Sequence, residues 1–86
     1  MFNENMINTL LNSLPDEYND VLKYMRLAKE AGDNEAVAQV LSDIAYEEYI
    51  HAKHIKEILK GCKGVNVDTP ELKELKDKAK KVLMSE

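Results

Sequence analysis

Ile44-Ala45-Tyr46-Glu47-Glu48-Tyr49-Ile50-His51 lies in the middle of the chain's longest run of helical periodicity. Around it, Val37, Leu41, Ile44, Glu48, His51, Ile55 and Ile58 recur at spacings of 4, 3, 4, 3, 4 and 3. That pattern predicts a helix packed lengthwise on others, with these residues as its seam. Glu48 and His51 are consecutive members of the seam and share a helix face. A carboxylate and an imidazole on an apolar seam are costly unless something pairs with them. A metal ion supplies such a pairing. The alternative is a buried Glu–His pair satisfied within a bundle.

This helix is expected from about Glu35 to Lys60, between a turn at Gly32-Asp33-Asn34 and a stop at Gly61-Cys62-Lys63-Gly64. Ala38, Ala45 and Ala52 add a stripe of small residues that permits close helix approach. The preceding helix is expected over about Pro15 to Ala31, with Leu14, Glu17, Val21, Tyr24, Ala28 and Ala31 as seam. Tyr18, Leu22 and Met25 widen its apolar side. The short turn makes the two helices antiparallel neighbours. Upstream, Met6 to Leu14 predicts a short amphipathic helix. Ser13-x-x-Asp16 around Pro15 resembles a capping box, which would start a new helix there. The other reading is one helix kinked at Pro15, since the apolar phase runs straight through. Asp68-Thr69-Pro70-Glu71 predicts the start of a last amphipathic helix, over about 68–85. Its lysines Lys73, Lys76, Lys78, Lys80 and Lys81 read as a solvated face.

The fold class expected is therefore all-α: a helical hairpin over 14–60 with short N-terminal and C-terminal helices, in one domain of 86 residues. Three glycines, two prolines and no tryptophan fit helices better than sheet. A chain this small buries a modest core, so a homodimer or higher oligomer is expected. A net charge of −4 argues against nucleic acid as a partner. The short apolar runs argue against a membrane span. The N-terminus lacks the pattern of a signal peptide. The single cysteine, Cys62, rules out Cys-x-x-Cys metal or redox chemistry and is assigned no function. A reduced, cytoplasmic setting is the expectation.

Glu17 precedes Gly32 by fifteen residues and Glu48 follows it by sixteen. At ~1.5 Å per residue both lie about 22–24 Å from the turn, on facing helices. That places Glu17, Glu48 and His51 in one layer as candidate metal ligands. Read alone, Glu17 is an ordinary acidic residue in a first helical turn. A carboxylate-bridged two-metal site in a four-helix bundle takes a lone Glu from each of two helices and a Glu-x-x-His from each of the other two. This chain supplies half of that set, and a two-fold dimer would complete it. Carboxylates with a minority of imidazoles and no thiolate favour iron or manganese. Tyr24 is expected beside the site, its hydroxyl reaching a carboxylate. Glu47 and His54 are possible auxiliary groups at an access path. Tyr46 and Tyr49 read as interface or surface residues.

Glu17-x6-Tyr24 followed by Glu48-x-x-His51, with the text Tyr24-Met-Arg-Leu-Ala28 and Ile44-Ala-Tyr-Glu-Glu48-Tyr-Ile-His51-Ala52, resembles one half of the ferritin-like di-iron proteins, especially rubrerythrins. The resemblance covers about residues 14 to 60. It implies that Glu17, Glu48 and His51 bind iron, with Tyr24 near the metals. It implies a di-iron oxidoreductase that oxidises Fe(II) with dioxygen or peroxide, or reduces peroxide. Rubrerythrins usually carry two such hairpins in one chain and a rubredoxin domain with paired Cys-x-x-Cys motifs. This sequence has one hairpin and no such motif, so a peroxidase cycle needs an external electron donor. The single hairpin is also similar to the encapsulated ferritin-like proteins, which oxidise iron inside a separate shell, but no shell-targeting tail is evident after Leu83. The competing classes are a non-catalytic helical dimerisation or adaptor module, which leaves Glu17, Glu48 and His51 without a reason, and an iron-binding module without turnover.

Overall fold

The structure, a computed structural model, describes residues 3–85. They form three α-helices, and no strand occurs among the described residues: α1 (Glu4–Glu30), α2 (Glu35–Lys60) and α3 (Pro70–Met84). Each helix begins where a side chain caps it. The Asn3 carbonyl oxygen accepts from the Met6 amide at 2.8 Å, that of Asn34 from Val37 at 3.2 Å, and the Thr69 hydroxyl from Leu72 at 3.2 Å. Between α1 and α2, Gly32 takes a φ of +56°, the left-handed turn that ends a helix and favours glycine. Both termini of α2 and the start of α3 stand close to the predicted positions.

The predicted break at Pro15 does not occur, and the single-helix reading is the correct one. α1 passes through Pro15 unbroken. Ser13 does not cap. Its hydroxyl turns back to donate to the Thr9 carbonyl, as Thr9 does to Asn5, both at 2.9 Å. Proline lacks the amide that would bond the Leu11 carbonyl, a loss that ordinarily disfavours a helix interior. Burial outweighs it. Leu14 and Tyr18, on either side of Pro15, are fully enclosed, and Ile7, Leu10 and Leu11 pack against the same core. Ending the helix at Pro15 would swing that upstream stripe away.

The core also differs from the predicted seam, by a rotation. On α2 the enclosed residues are Ala45, Ala52 and Leu59. Each follows a predicted seam residue (Ile44, His51 and Ile58) by one position, or about 100° around the helix. The line that touches α1 is thus the small-residue stripe. On α1 the enclosed line is Leu14, Tyr18, Val21, Met25 and Ala28. Tyr18 and Met25 replace Glu17 and Tyr24, which move to the margin. The predicted seam of α2 consequently faces outward: Val37 and Ile58 are 45% and 40% exposed, and Val40 beside them 58%.

α3 packs mainly along α1, with Ala79 enclosed and Leu72, Leu75, Val82 and Leu83 against the core. Ahead of it, the Lys56 ammonium meets the Asp68 carboxylate at 3.1 Å and ties the connecting loop to α2. The molecule is a thin slab, 47 × 22 × 15 Å, with a radius of gyration of 14.4 Å. A compact chain of this length would have about 12 Å. It exposes 6052 Å², where a compact monomer of its mass would expose about 5,200 Å². Both excesses belong to a bundle with one open side.

The rotated register makes a specific prediction. Ala52→Leu, which inserts three carbons into the α1–α2 contact, should lower the unfolding free energy by about 1–3 kcal/mol. Urea denaturation followed by circular dichroism measures it, and an unchanged midpoint would contradict the Ala45–Ala52–Leu59 line as the contact.

Candidate metal centre

Glu17 projects from α1, and Glu48 and His51 from α2, where the two helices lie side by side. One ligand-capable atom from each falls within 4.8 Å of those of the other two. His51 Nδ1 is 3.1 Å from Glu48 Oε1 and 3.6 Å from Glu17 Oε2. The i, i+3 spacing of Glu48 and His51 aligns their side chains along one face of α2, and the antiparallel hairpin brings Glu17 to the same depth. The three residues that the spacing argument grouped are therefore brought together.

Their environment is uneven. The side chains of Glu17 and Glu48 are 21% and 19% exposed, but that of His51 is 55% exposed. The carboxylates sink toward the hairpin and the imidazole closes the cluster from its open side. Glu17 Oε2 is buried and has no hydrogen-bond partner. An ionised carboxylate oxygen in that position lacks compensation by any donor of the chain. A cation at the centre of the three ligand atoms would supply it. Two carboxylates and one imidazole, with no thiolate, match the donor preferences of a hard or borderline divalent ion. The residues present thus fit a metal.

Beside the cluster stands a third acid that the sequence reading missed. Asp20 lies one turn after Glu17 on α1, close enough to the Glu48 carboxyl to influence its titration. Asp20 also meets the Lys23 ammonium at 3.4 Å. The signal was its i+3 relation to Glu17, obscured because the expected seam did not include position 20. Burial, first, and then the Asp20 hydrogen bond and the negative charges of Glu17 and Asp20 raise the Glu48 carboxyl above its ordinary range, while His51 works in the opposite direction.

The remaining candidates stand apart. Tyr24 is half-buried against the core, its ring 4.8 Å from the Lys23 ammonium. Glu47, His54 and Tyr46 are exposed on α2. Tyr49, expected on an interface or surface, is instead half-buried behind the cluster, its ring centroid 6.3 Å from that of Tyr18 with the planes tilted by 53°. Burial pushes the Tyr18 phenol up to about 12, with Tyr49 and Asp68 adding to the shift.

An all-helical chain that gathers two glutamates and a histidine from antiparallel helices has the plan of half a carboxylate-bridged metal bundle. The family model for rubrerythrin matches residues 8–85, and the chain belongs to that family. No curated protein and no solved structure matches it significantly. The family match extends beyond the hairpin to α3, further than the motif resemblance over residues 14–60. No described helix is long and apolar enough to cross a membrane.

The raised Glu48 carboxyl has a consequence for the metal-free protein. Below the unfolded-state pKa of glutamate the group is neutral in both states and costs nothing. As pH rises from there through the folded-state value, the folded state must ionise Glu48 against its surroundings and loses stability. Glu48→Gln should remove this dependence and raise the melting temperature at neutral pH by a few degrees. Thermal unfolding in a chelator across the acid-to-neutral range tests the sign. A wild-type protein that gains stability relative to Glu48→Gln with rising pH would contradict it.

Proposed function

We propose that this chain is a half-site for a di-iron centre, completed by a second copy, and that the paired chains oxidise Fe(II) with dioxygen or peroxide or reduce peroxide with electrons from an external donor. The observation that carries the reading is the buried, unpartnered Glu17 Oε2 beside Glu48 and His51 in a member of the rubrerythrin family. Rubrerythrins typically bind iron. Three ligands on one chain are half of the set a two-metal bundle uses, so two Glu17, two Glu48 and two His51 make a full set.

The exposed face supports the pairing. Val37, Val40 and Ile58 stand on the side of α2 that also carries His51. The surface that the slab exposes beyond a compact monomer is comparable with the about 800 Å² each partner buries in a standard interface. A second copy seated there covers these side chains and brings its own Glu17, Glu48 and His51 to the first set.

In this reading Glu17, Glu48 and His51 would hold the metals. Two iron ions would supply the two electrons that reduction of an O–O bond requires. Asp20, beside the Glu48 carboxyl, would help to hold it in position. The helix packing behind the cluster, with Tyr18 and Val21 enclosed, keeps water from the hairpin side.

The test is Fe(II) titration of anaerobically purified protein, followed by oxygen or peroxide consumption and an absorbance scan for an oxo-bridged chromophore. About two irons per pair of chains are expected, with Glu48→Ala and His51→Ala each abolishing stoichiometric binding. Val40→Asp should split the pair in sedimentation velocity and weaken iron binding by about tenfold or more. Stoichiometric binding unaffected by Glu48→Ala and His51→Ala would sink the site assignment. A folded dimer without iron affinity would make the chain an adaptor, and iron binding without oxidant consumption a store or sensor.

A further inference from the structure

The side of the hairpin opposite the open face holds a groove of about 400 Å³ between α2 and α3. Its walls carry Lys53, Lys56 and Lys60 from α2 and Lys76 and Lys80 from α3. Tyr18 and Tyr49 line it as well, and the acids in its lining are Glu57 and Asp68. Five lysines against two carboxylates leave an excess of three positive charges, on a chain whose net charge is −4.

A solvated helix face does not account for this arrangement. Lys56 and Lys60 are an i, i+4 pair of like charge, and so are Lys76 and Lys80. Such pairs disfavour the helix that carries them. Here two of them stand across one groove. Lys56 is paired with Asp68 at 3.1 Å, and Lys76 contributes to holding the Asp68 carboxyl below its ordinary range. Among the described residues, Lys53, Lys60 and Lys80 make no ion pair. Elsewhere on α3 the ordinary arrangement is present, with Lys78 meeting Glu74 one turn back at 3.4 Å. Lys29, Lys63, Lys73 and Lys81 also make no ion pair among the described residues, but none of them lines the groove, which alone gathers five lysines from two helices.

We propose that the groove is a binding site for a small multiply charged anion of the phosphate class, such as a pyrophosphate or a phosphate ester. The volume lies within the range of small-molecule sites, roughly 300–1,000 Å³. Ammonium groups converging from two helices suit a compact polyanion, which each reaches as a point charge with three donors. Tyr49, half-buried, offers an apolar wall for the organic part of an ester. On α2 the groove residues Lys53 and Lys60 follow Ala52 and Leu59, whereas His51 and Ile58 precede them. The groove and the metal cluster therefore occupy opposite flanks of the α1–α2 contact, and a second copy on the open face leaves the groove free.

The test is calorimetric titration of the purified 86-residue chain with pyrophosphate at physiological salt. Saturable binding of one pyrophosphate per chain is expected, weakened about tenfold or more by the double variant Lys53→Gln/Lys80→Gln. Lys29→Gln, beside the α1–α2 turn, should change the affinity by less than about twofold. Binding should be unchanged in excess chelator, which separates the groove from anion capture by metal at the cluster. Both groove lysines are exposed, and circular dichroism of the double variant checks its fold. Absence of saturable binding, an equal loss in Lys29→Gln, loss in chelator, or binding to phosphatidylglycerol vesicles with none to pyrophosphate would each overturn the proposal.

Discussion

The structure turns on a carboxylate oxygen with no partner. Glu17 Oε2 is shielded from water by its own hairpin, and no donor of the chain reaches it. The His51 imidazole stands 3.6 Å away and is shared with Glu48 at 3.1 Å. Burying charge this way costs stability unless a cation compensates. The hairpin could have avoided the cost by rotating Glu17 outward, but the enclosed line of Leu14, Tyr18, Val21 and Met25 fixes the rotation of α1. Packing of ordinary apolar residues thus holds the acid in an unfavourable position. The Glu48 carboxyl beside it is raised above its ordinary range, first by burial.

The same register leaves one side of α2 uncovered. Ala45 and Ala52 let α2 approach α1 closely, and a close pair of helices encloses little between them. The larger apolar residues of α2, Val37, Val40 and Ile58, fall to the outer side. A third helix could have covered them, but α3 lies mainly along α1 and its apolar residues complete the core there. The open face and the cluster share that uncovered side.

Much of this was legible in the sequence, for identifiable reasons. The turn at Gly32-Asp33-Asn34 and the start at Thr69-Pro70 were clear because their residues have specific backbone and capping roles. The grouping of Glu17, Glu48 and His51 followed from depth, which helix rise sets with little dependence on rotation. Rotation itself was misread. Spacings of three and four describe two neighbouring lines on one helix almost equally well, here Ile44–His51–Ile58 and Ala45–Ala52–Leu59. Size argued for the first line, and closeness of approach selected the second. Pro15 was misread because a local rule met a longer apolar stripe that outweighed it. Asp20 and the lysine groove were invisible for a related reason: each depends on which residues of different helices face one another.

Seen from the helix axis of α2, three lines lie side by side: the cluster and its apolar neighbours, the alanine stripe, and the lysine wall. Only the middle line is satisfied within the chain. The first is apolar around a carboxylate–histidine set, and in the proposed pairing a copy of itself would cover it. The third cannot serve that purpose, since two lysine walls brought together would repel. Charge therefore gives the slab a direction: like surfaces can meet on one flank alone. On the other flank an opposite charge is required. An offset of one or two residues between Glu48–His51 and Tyr49–Lys53 thus separates a face that the proposed pairing would cover from a face that excludes it.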